Sequence, residues 1–387
     1  MFLNKNIIIL SLVVARIFCT EEPNTGEEGT PDELDYNMAY EEIYDRLELD
    51  SVESILASNG LSASISIRDI VDGIARGDGA YVARTITAGA KTVLVGELIY
   101  NKTLMLQLVL IVMLGSIFVN ISGSFGKGFI SENGFYVTYL IITSIMLTSF
   151  TLTLEVVSSS IEKVLALIQI IVPVYSLIMN FVGHVSTSAG MYQITMVGVW
   201  LVQVVILRFI IPMIKFYVII SLVNNLNKED SFSKLCRLIR NMVSWMLRTI
   251  IVFVAGLNII KSLIDPQLDA IGRNAVSKVI ATMPGGGVMS VLTGTFLGAG
   301  RIIKNSVGIG GIILLLAVIM VPVVKTFLMM FAVRLTAVMV QPIGEKRYVD
   351  GIDALAQGMS LLLKTILSSV VLFMLTIAIM AYASGGG

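Results

Sequence analysis

Long apolar stretches after residue 100 constrain the fold of this chain more than any other feature of the sequence. A helix needs roughly 20 residues to cross about 30 Å of hydrocarbon. Backbone groups in lipid have no water to bond, so such stretches fold as helices rather than as open strands. The sequence therefore predicts an all-α, polytopic membrane protein. The candidate spans are 103–122, 135–157, 164–182, 191–223, 242–262, 306–333 and 361–383, with a weaker one, rich in Gly and Thr, at 278–300.

The composition supports a lipid environment and argues against several classes of function. Hydrophobic residues make up 56% of the 387 residues and charged residues only 14%, whereas a soluble domain carries about 25% charged residues. The formal net charge is zero, so nothing indicates a nucleic-acid partner. His184 is the only histidine, and Cys19 and Cys236 lie in dissimilar contexts, which gives no zinc, triad or disulfide pattern. We therefore expect no cofactor and no enzyme activity.

The first hundred residues differ from the rest of the chain. Lys5 precedes an apolar run that Arg16 ends, which predicts an export signal in residues 1–20. Seven acidic residues and no basic ones follow in 21–35, which indicates a solvated linker. Residues 36–100 carry apolar side chains at helical spacing and predict a small helical segment outside the cytoplasm.

The membrane region contains the pattern of a tandem repeat. Pro212-Met-Ile-Lys215 corresponds to Pro322-Val-Val-Lys325 at an offset of 110 residues, and each half has an amphipathic stretch before its last span. Apolar segments also align by chance, so coincidence stays open as an alternative. The prediction divides the region into two transmembrane helices at 101–160, repeat 1 at 161–264 and repeat 2 at 265–383.

A repeat with conserved orientation needs an even number of crossings in each copy. The first segment of each copy, 164–182 and 278–300, is therefore expected to be broken or re-entrant, leaving six full spans. The positive-inside rule then places the basic stretches 228–240 and 334–347 in the cytoplasm. The segment 263–305 would lie outside although it holds four basic residues, which conflicts with that rule.

Two kinds of residue are candidates for a pore or a hinge. Lys215 and Lys325 lie deep in apolar stretches, where a cation marks a cavity or an ion path unless it snorkels to the interface. Prolines and glycines in the segments expected to be broken would form a hinge, a pore-lining loop or a plain turn. These residues are Pro173, Pro284, Gly285, Gly286 and Gly287.

The segment Arg301-Ile-Ile-Lys-Asn-Ser-Val-Gly308, followed by Pro322-Val-Val-Lys325 and Gln341-Pro-Ile343, resembles the stage III sporulation protein AE family. The resemblance implies a multi-pass protein in the mother-cell membrane around the forespore, acting as an export gate or scaffold of a transenvelope channel. It also implies partners: a cytoplasmic ATPase, ring-forming membrane proteins and a protein across the intermembrane space, with self-association as a further expectation. The family brings no catalytic residues to carry over.

Two other hypotheses remain from the residues alone. An autonomous small-solute transporter would share the tandem repeat, the proline-interrupted segments and the intramembrane lysines. A membrane enzyme would need a nucleophile with a base, and a Ser–Lys pair is the arrangement that this sequence leaves open.

Overall fold

Helix is the regular secondary structure of the described part of the chain. The computed structural model describes residues 102–119, 121, 128–181, 185–227, 231–281, 311–312, 315–316 and 318–383. The predicted signal, acidic linker and extracytoplasmic segment (1–20, 21–35 and 36–100) lie outside the described residues, as do Pro284, Gly285, Gly286 and Gly287.

Within the described residues, six helical stretches are long and apolar enough to cross a membrane, one of them made of two helices joined by a π-helical turn. The prediction of an all-α, polytopic membrane protein is therefore confirmed. The helices are α1 (Lys102–Val119), α2 (Gly128–Phe181), α3 (Val185–Val205), α4 (Ile211–Leu226), α5 (Ser233–Ala281), α6 (Val318–Val340) and α7 (Lys346–Ala383), with the π-helical turn Ile206–Ile210 between α3 and α4.

Helix α2 joins two stretches that the sequence analysis separated. It runs for 54 residues, about 80 Å, through both 135–157 and 164–182 and continues past Pro173. The polar residues between the two stretches do not end the helix, since Ser, Glu and Lys are compatible with it, and Ser160 donates a hydrogen bond back to the carbonyl of Val156. The boundary at 160–161 falls inside α2, just as the boundary at 264–265 falls inside α5. The tandem repeat itself stays a prediction.

The sequence explains the π-helical turn before α4. Pro212 lies in the first turn of α4, where its missing N–H and its ring prevent a regular bond to the preceding turn. The N–H of Ile211 instead donates to the carbonyl of Ile206, five residues back. The wider turn accommodates the proline without breaking the span.

Helix α7 occupies the middle of the described bundle. It packs against α2, α4 and α5, and 72% of its most apolar window is buried, compared with 28–50% for the other spans. Ile352, Leu355, Met359 and Leu362 have no exposed surface. The axis of the described bundle is therefore filled by a helix.

Glycines allow close approach at two helix crossings. A Cβ atom at Gly115 of α1 would collide with Thr138 of α2, and one at Gly358 of α7 would collide with Val218 of α4. Small residues of this kind let helix backbones pack closely in lipid, where van der Waals contact replaces the hydrophobic effect between helices.

The last turns of α1, α4 and α6 and the first turns of α2, α5 and α7 meet at one end of the bundle, called here the loop end. Ser131 Oγ of α2 donates to the carbonyl of Val119 at 3.1 Å, which closes the first connection. Tyr139 Oη of α2 donates to the carbonyl of Leu222 near the end of α4 at 2.7 Å. An ion pair between Arg347 and Glu132 joins the beginning of α7 to the beginning of α2. The described residues of the stretches 228–240 and 334–347, both predicted to be cytoplasmic, therefore lie at the same end.

Candidate functional site

A polar cavity of about 260 Å³ lies between α4, α5 and α7 at the loop end. Each helix contributes side chains at spacings of three, four or seven residues, which place them on one face. We call this feature the polar cavity. Its polar lining is Tyr217, Ser221, Asn224 and Asn225 from α4, Ser233, Cys236, Arg237 and Arg240 from α5, and Asp350, Asp353 and Gln357 from α7.

The side chain of Gln357 links the three helices inside the polar cavity. Its Oε1 accepts hydrogen bonds from Tyr217 Oη at 3.0 Å and from Arg240 Nη1 at 2.8 Å. Its Nε2 donates to Asp353 Oδ2 at 2.8 Å. The amide therefore stands between a guanidinium and a carboxylate and holds the opposite charges on two sides of the cavity.

The turn that leads into α5 is held in place beside the cavity. The backbone N–H of Phe232 donates to Asn224 Oδ1 at 2.7 Å, and Asn224 is 6% exposed. The N–H of Cys236 donates to the carbonyl of Phe232 at 3.0 Å, which begins the helix. The position of Ser233, Cys236 and Arg237 is thus fixed relative to α4.

The first turns of α5 expose large apolar side chains on the outer side of the bundle. Leu235, Leu238, Met242 and Trp245 are exposed on the outer side, Trp245 by 66%, while Arg240 reaches into the polar cavity. Phe216, Ile219 and Val223 of α4 are likewise exposed outside the cavity. Exposed apolar side chains of this kind fit helices that face lipid, and polar or charged groups next to such surfaces typically mark functional sites.

A second polar cluster at the loop end is structural. The guanidinium of Arg347 bonds Glu132 Oε1 at 3.0 Å and Glu345 Oε1 at 2.7 Å, and its carbon lies 3.4 Å from the centre of the Phe135 ring. The Tyr348 ring packs on Phe135 at a centroid distance of 4.9 Å. Charge pairing, cation–π contact and aromatic packing together join the first turns of α2 and α7.

The residues that the sequence analysis singled out lie elsewhere. Lys215 is exposed on α4 and Lys325 is half-buried on α6, and neither lines the polar cavity. Pro173 is half-buried within α2, which remains helical around it. The roles of these residues in a pore or hinge stay predictions, and Pro284, Gly285, Gly286 and Gly287 lie outside the described residues.

The sequence carries one signal that indicates the polar cavity. Tyr217, Ser221, Asn224 and Asn225 recur at helical spacing inside an apolar span, which indicates a polar face turned away from lipid. The cavity residues of α7 lie more than a hundred residues after those of α4 and α5, so no local pattern relates them. Among the residues that the structure describes, no group of three or more His, Cys, Asp or Glu side chains could hold a metal ion.

Comparison with known proteins identifies the family. The model of the stage III sporulation protein AE family matches residues 65–384. The stage III sporulation protein AE of Bacillus subtilis (strain 168) is 19% identical over 289 residues, which cover 74% of this chain and 72% of that protein. No solved structure matches. Since the family model covers well over half of its residues, this multi-pass helical chain belongs to the stage III sporulation protein AE family.

Proposed function

We propose that the protein is a scaffold subunit of the export gate of a transenvelope sporulation channel, in the mother-cell membrane around the forespore. Membership of a stage III sporulation family supports the developmental role. The observation that supports a scaffold is the burial of α7 along the axis of the described bundle. A bundle with a filled axis suits a subunit that builds a passage together with other subunits.

The proposed partners are a cytoplasmic ATPase and the ring-forming membrane proteins of the channel. The loop end offers exposed basic side chains on two elements, Lys234 of α5 and Lys346 of α7. Exposed charges steer the encounter between proteins and fix the orientation of docking. We place the ATPase contact on this surface, which the positive-inside rule assigns to the cytoplasm.

Deletion of the gene in an endospore-forming host that carries it tests the developmental role. We expect development to arrest after engulfment, and we expect a plasmid copy of the gene to restore spores. Heat-resistant spore counts and microscopy of engulfed cells give the readout. Normal spores from a clean deletion would contradict the proposal.

A charge reversal tests the docking surface. The double variant Lys234→Glu, Lys346→Glu should insert normally but co-purify with less of the ATPase, because two exposed cations become anions. Lys102→Glu is the matched control, since Lys102 is also exposed but begins α1, at the end of that helix away from the loop end. Equal recovery of the ATPase with the wild type, the double variant and the Lys102→Glu variant would contradict docking on this surface.

A further inference from the structure

The polar cavity has positive groups on one of its helices and negative groups on another. Arg237 and Arg240 come from α5, and Asp350 and Asp353 come from α7. Each pair is three residues apart, so its members share one face of their helix. The amide of Gln357 lies between Arg240 and Asp353 and bonds both of them.

This arrangement favours a ligand that carries both charges. The two carboxylates would repel a simple anion, and the two guanidinium groups would repel a simple cation. A zwitterion can place an acidic group on the arginines and an ammonium group on the aspartates, with charge-assisted hydrogen bonds at each end. Guanidinium groups match phosphate oxygens well, and a primary ammonium offers three N–H donors to carboxylates.

The dimensions and position of the polar cavity limit the ligand further. A volume of about 260 Å³ is far more than the roughly 30 Å³ that one water occupies in the liquid. The cavity has room for a compact solute or a lipid headgroup. It lies at the loop end, and the outer sides of α4 and α5 beside it expose the apolar residues Phe216, Val223 and Leu235. A phosphate-containing headgroup at this level could enter while its acyl chains stay in contact with those apolar surfaces.

We propose that the polar cavity binds a phosphoethanolamine group, with the phosphate on Arg237 and Arg240 and the primary ammonium on Asp350 and Asp353. The group comes from a free solute or from the headgroup of phosphatidylethanolamine. The site depends on the geometry of α4, α5 and α7 and not on the scaffold role, so a negative binding result leaves the proposed function untouched.

The test uses the full-length protein in nanodiscs of phosphatidylcholine, a lipid with no primary ammonium. The thermal midpoint is measured with phosphoethanolamine, with ethanolamine and with methyl phosphate, at equal ionic strength. We expect phosphoethanolamine to raise the midpoint temperature of unfolding more than ethanolamine or methyl phosphate does. If the lipid is the source, discs that contain phosphatidylethanolamine raise the midpoint without added solute; a response to the solute alone assigns a free ligand.

Two conservative variants locate the response in the polar cavity. Arg237 and Asp353 are both exposed, so Arg237→Gln and Asp353→Asn should fold. Each variant should raise the phosphoethanolamine concentration needed for half of the maximal midpoint shift by about tenfold or more, because one charge-assisted contact is lost. Lys234→Gln is the matched control: Lys234 is exposed on the same helix but does not line the cavity, and this variant should respond as wild type. The proposal fails if neither phosphoethanolamine nor phosphatidylethanolamine raises the midpoint, or if ethanolamine or methyl phosphate raises it as much as phosphoethanolamine does. It also fails if Arg237→Gln and Asp353→Asn respond as wild type.

Discussion

At the residue scale, Arg347 shows how one side chain can join distant parts of the chain. It pairs with Glu132, 215 residues away, and with Glu345, two residues away. Its side chain is 16% exposed, so solvent screens these contacts only partly. No sequence pattern could have predicted the pair with Glu132, because complementary charges at this separation are common and only the packing of α2 on α7 brings these two together.

Replacing Arg347 by Gln should destabilise the bundle by about 1–3 kcal/mol, because Glu132 and Glu345 lose a charged partner in a partly buried site. Thermal unfolding in detergent measures the effect. Lys346→Gln removes an exposed charge beside it and should change stability little. In the double variant Arg347→Gln, Glu132→Gln, the loss should be smaller than the sum of the single losses; strict additivity would show that the two side chains do not interact.

At the element scale, the sequence predicted the existence of the spans better than their lengths. Hydropathy is a local property, so the described residues of the apolar stretches 103–122, 191–223 and 361–383 are all helical. The length of α2 was not predicted because 135–157 and 164–182 were treated as separate spans, although charged side chains between them, such as Glu162 and Lys163, do not interrupt helical hydrogen bonding. Which face of α7 is covered by α4 depends on tertiary packing and could not be inferred from its amphipathic pattern.

The crossing of α4 and α7 at Gly358 gives a prediction for this scale. Gly358→Ala should destabilise the protein by about 1–3 kcal/mol, because the added methyl group collides with Val218. Adding Val218→Ala should recover part of the loss by making room for that methyl group. Both effects are measured by thermal unfolding.

Gly256→Ala is the matched control for this crossing, since a Cβ there meets nothing within 4 Å and alanine favours the helix. Equal effects of Gly256→Ala and Gly358→Ala would argue against close packing of α4 on α7.

At the scale of the whole molecule, the loop end gathers three connections and the polar cavity. The sequence analysis predicted that 228–240 and 334–347 share one side of the membrane, and the structure places the described residues of both stretches at one end of the bundle. The cytoplasmic assignment of that end follows from its basic residues and stays a prediction. The polar cavity could not be predicted as a site because it exists only once three helices have packed.

Cysteine labelling in oriented membrane vesicles tests this topology. Asn227→Cys and Gln341→Cys, both exposed at the loop end, should react with an impermeant maleimide from the cytoplasmic side. Gln193→Cys, near the beginning of the α3–α4 span, should react from the other side. A background with Cys19 and Cys236 replaced by Ser removes competing thiols. Reaction of the two loop-end cysteines from opposite sides would exclude the arrangement.

The central position of α7 has a consequence for the order in which the protein is assembled. Helix α7 follows α2, α4 and α5 in the chain, yet it covers the inner faces of all three. While the ribosome is still translating residues before 346, those helices have already been synthesised without their common partner, and Tyr217 and Arg240 lack the Gln357 amide that they bond in the finished bundle. A nascent chain at that stage is a natural target for membrane quality-control proteases, and its lifetime would depend on how quickly the last span is inserted.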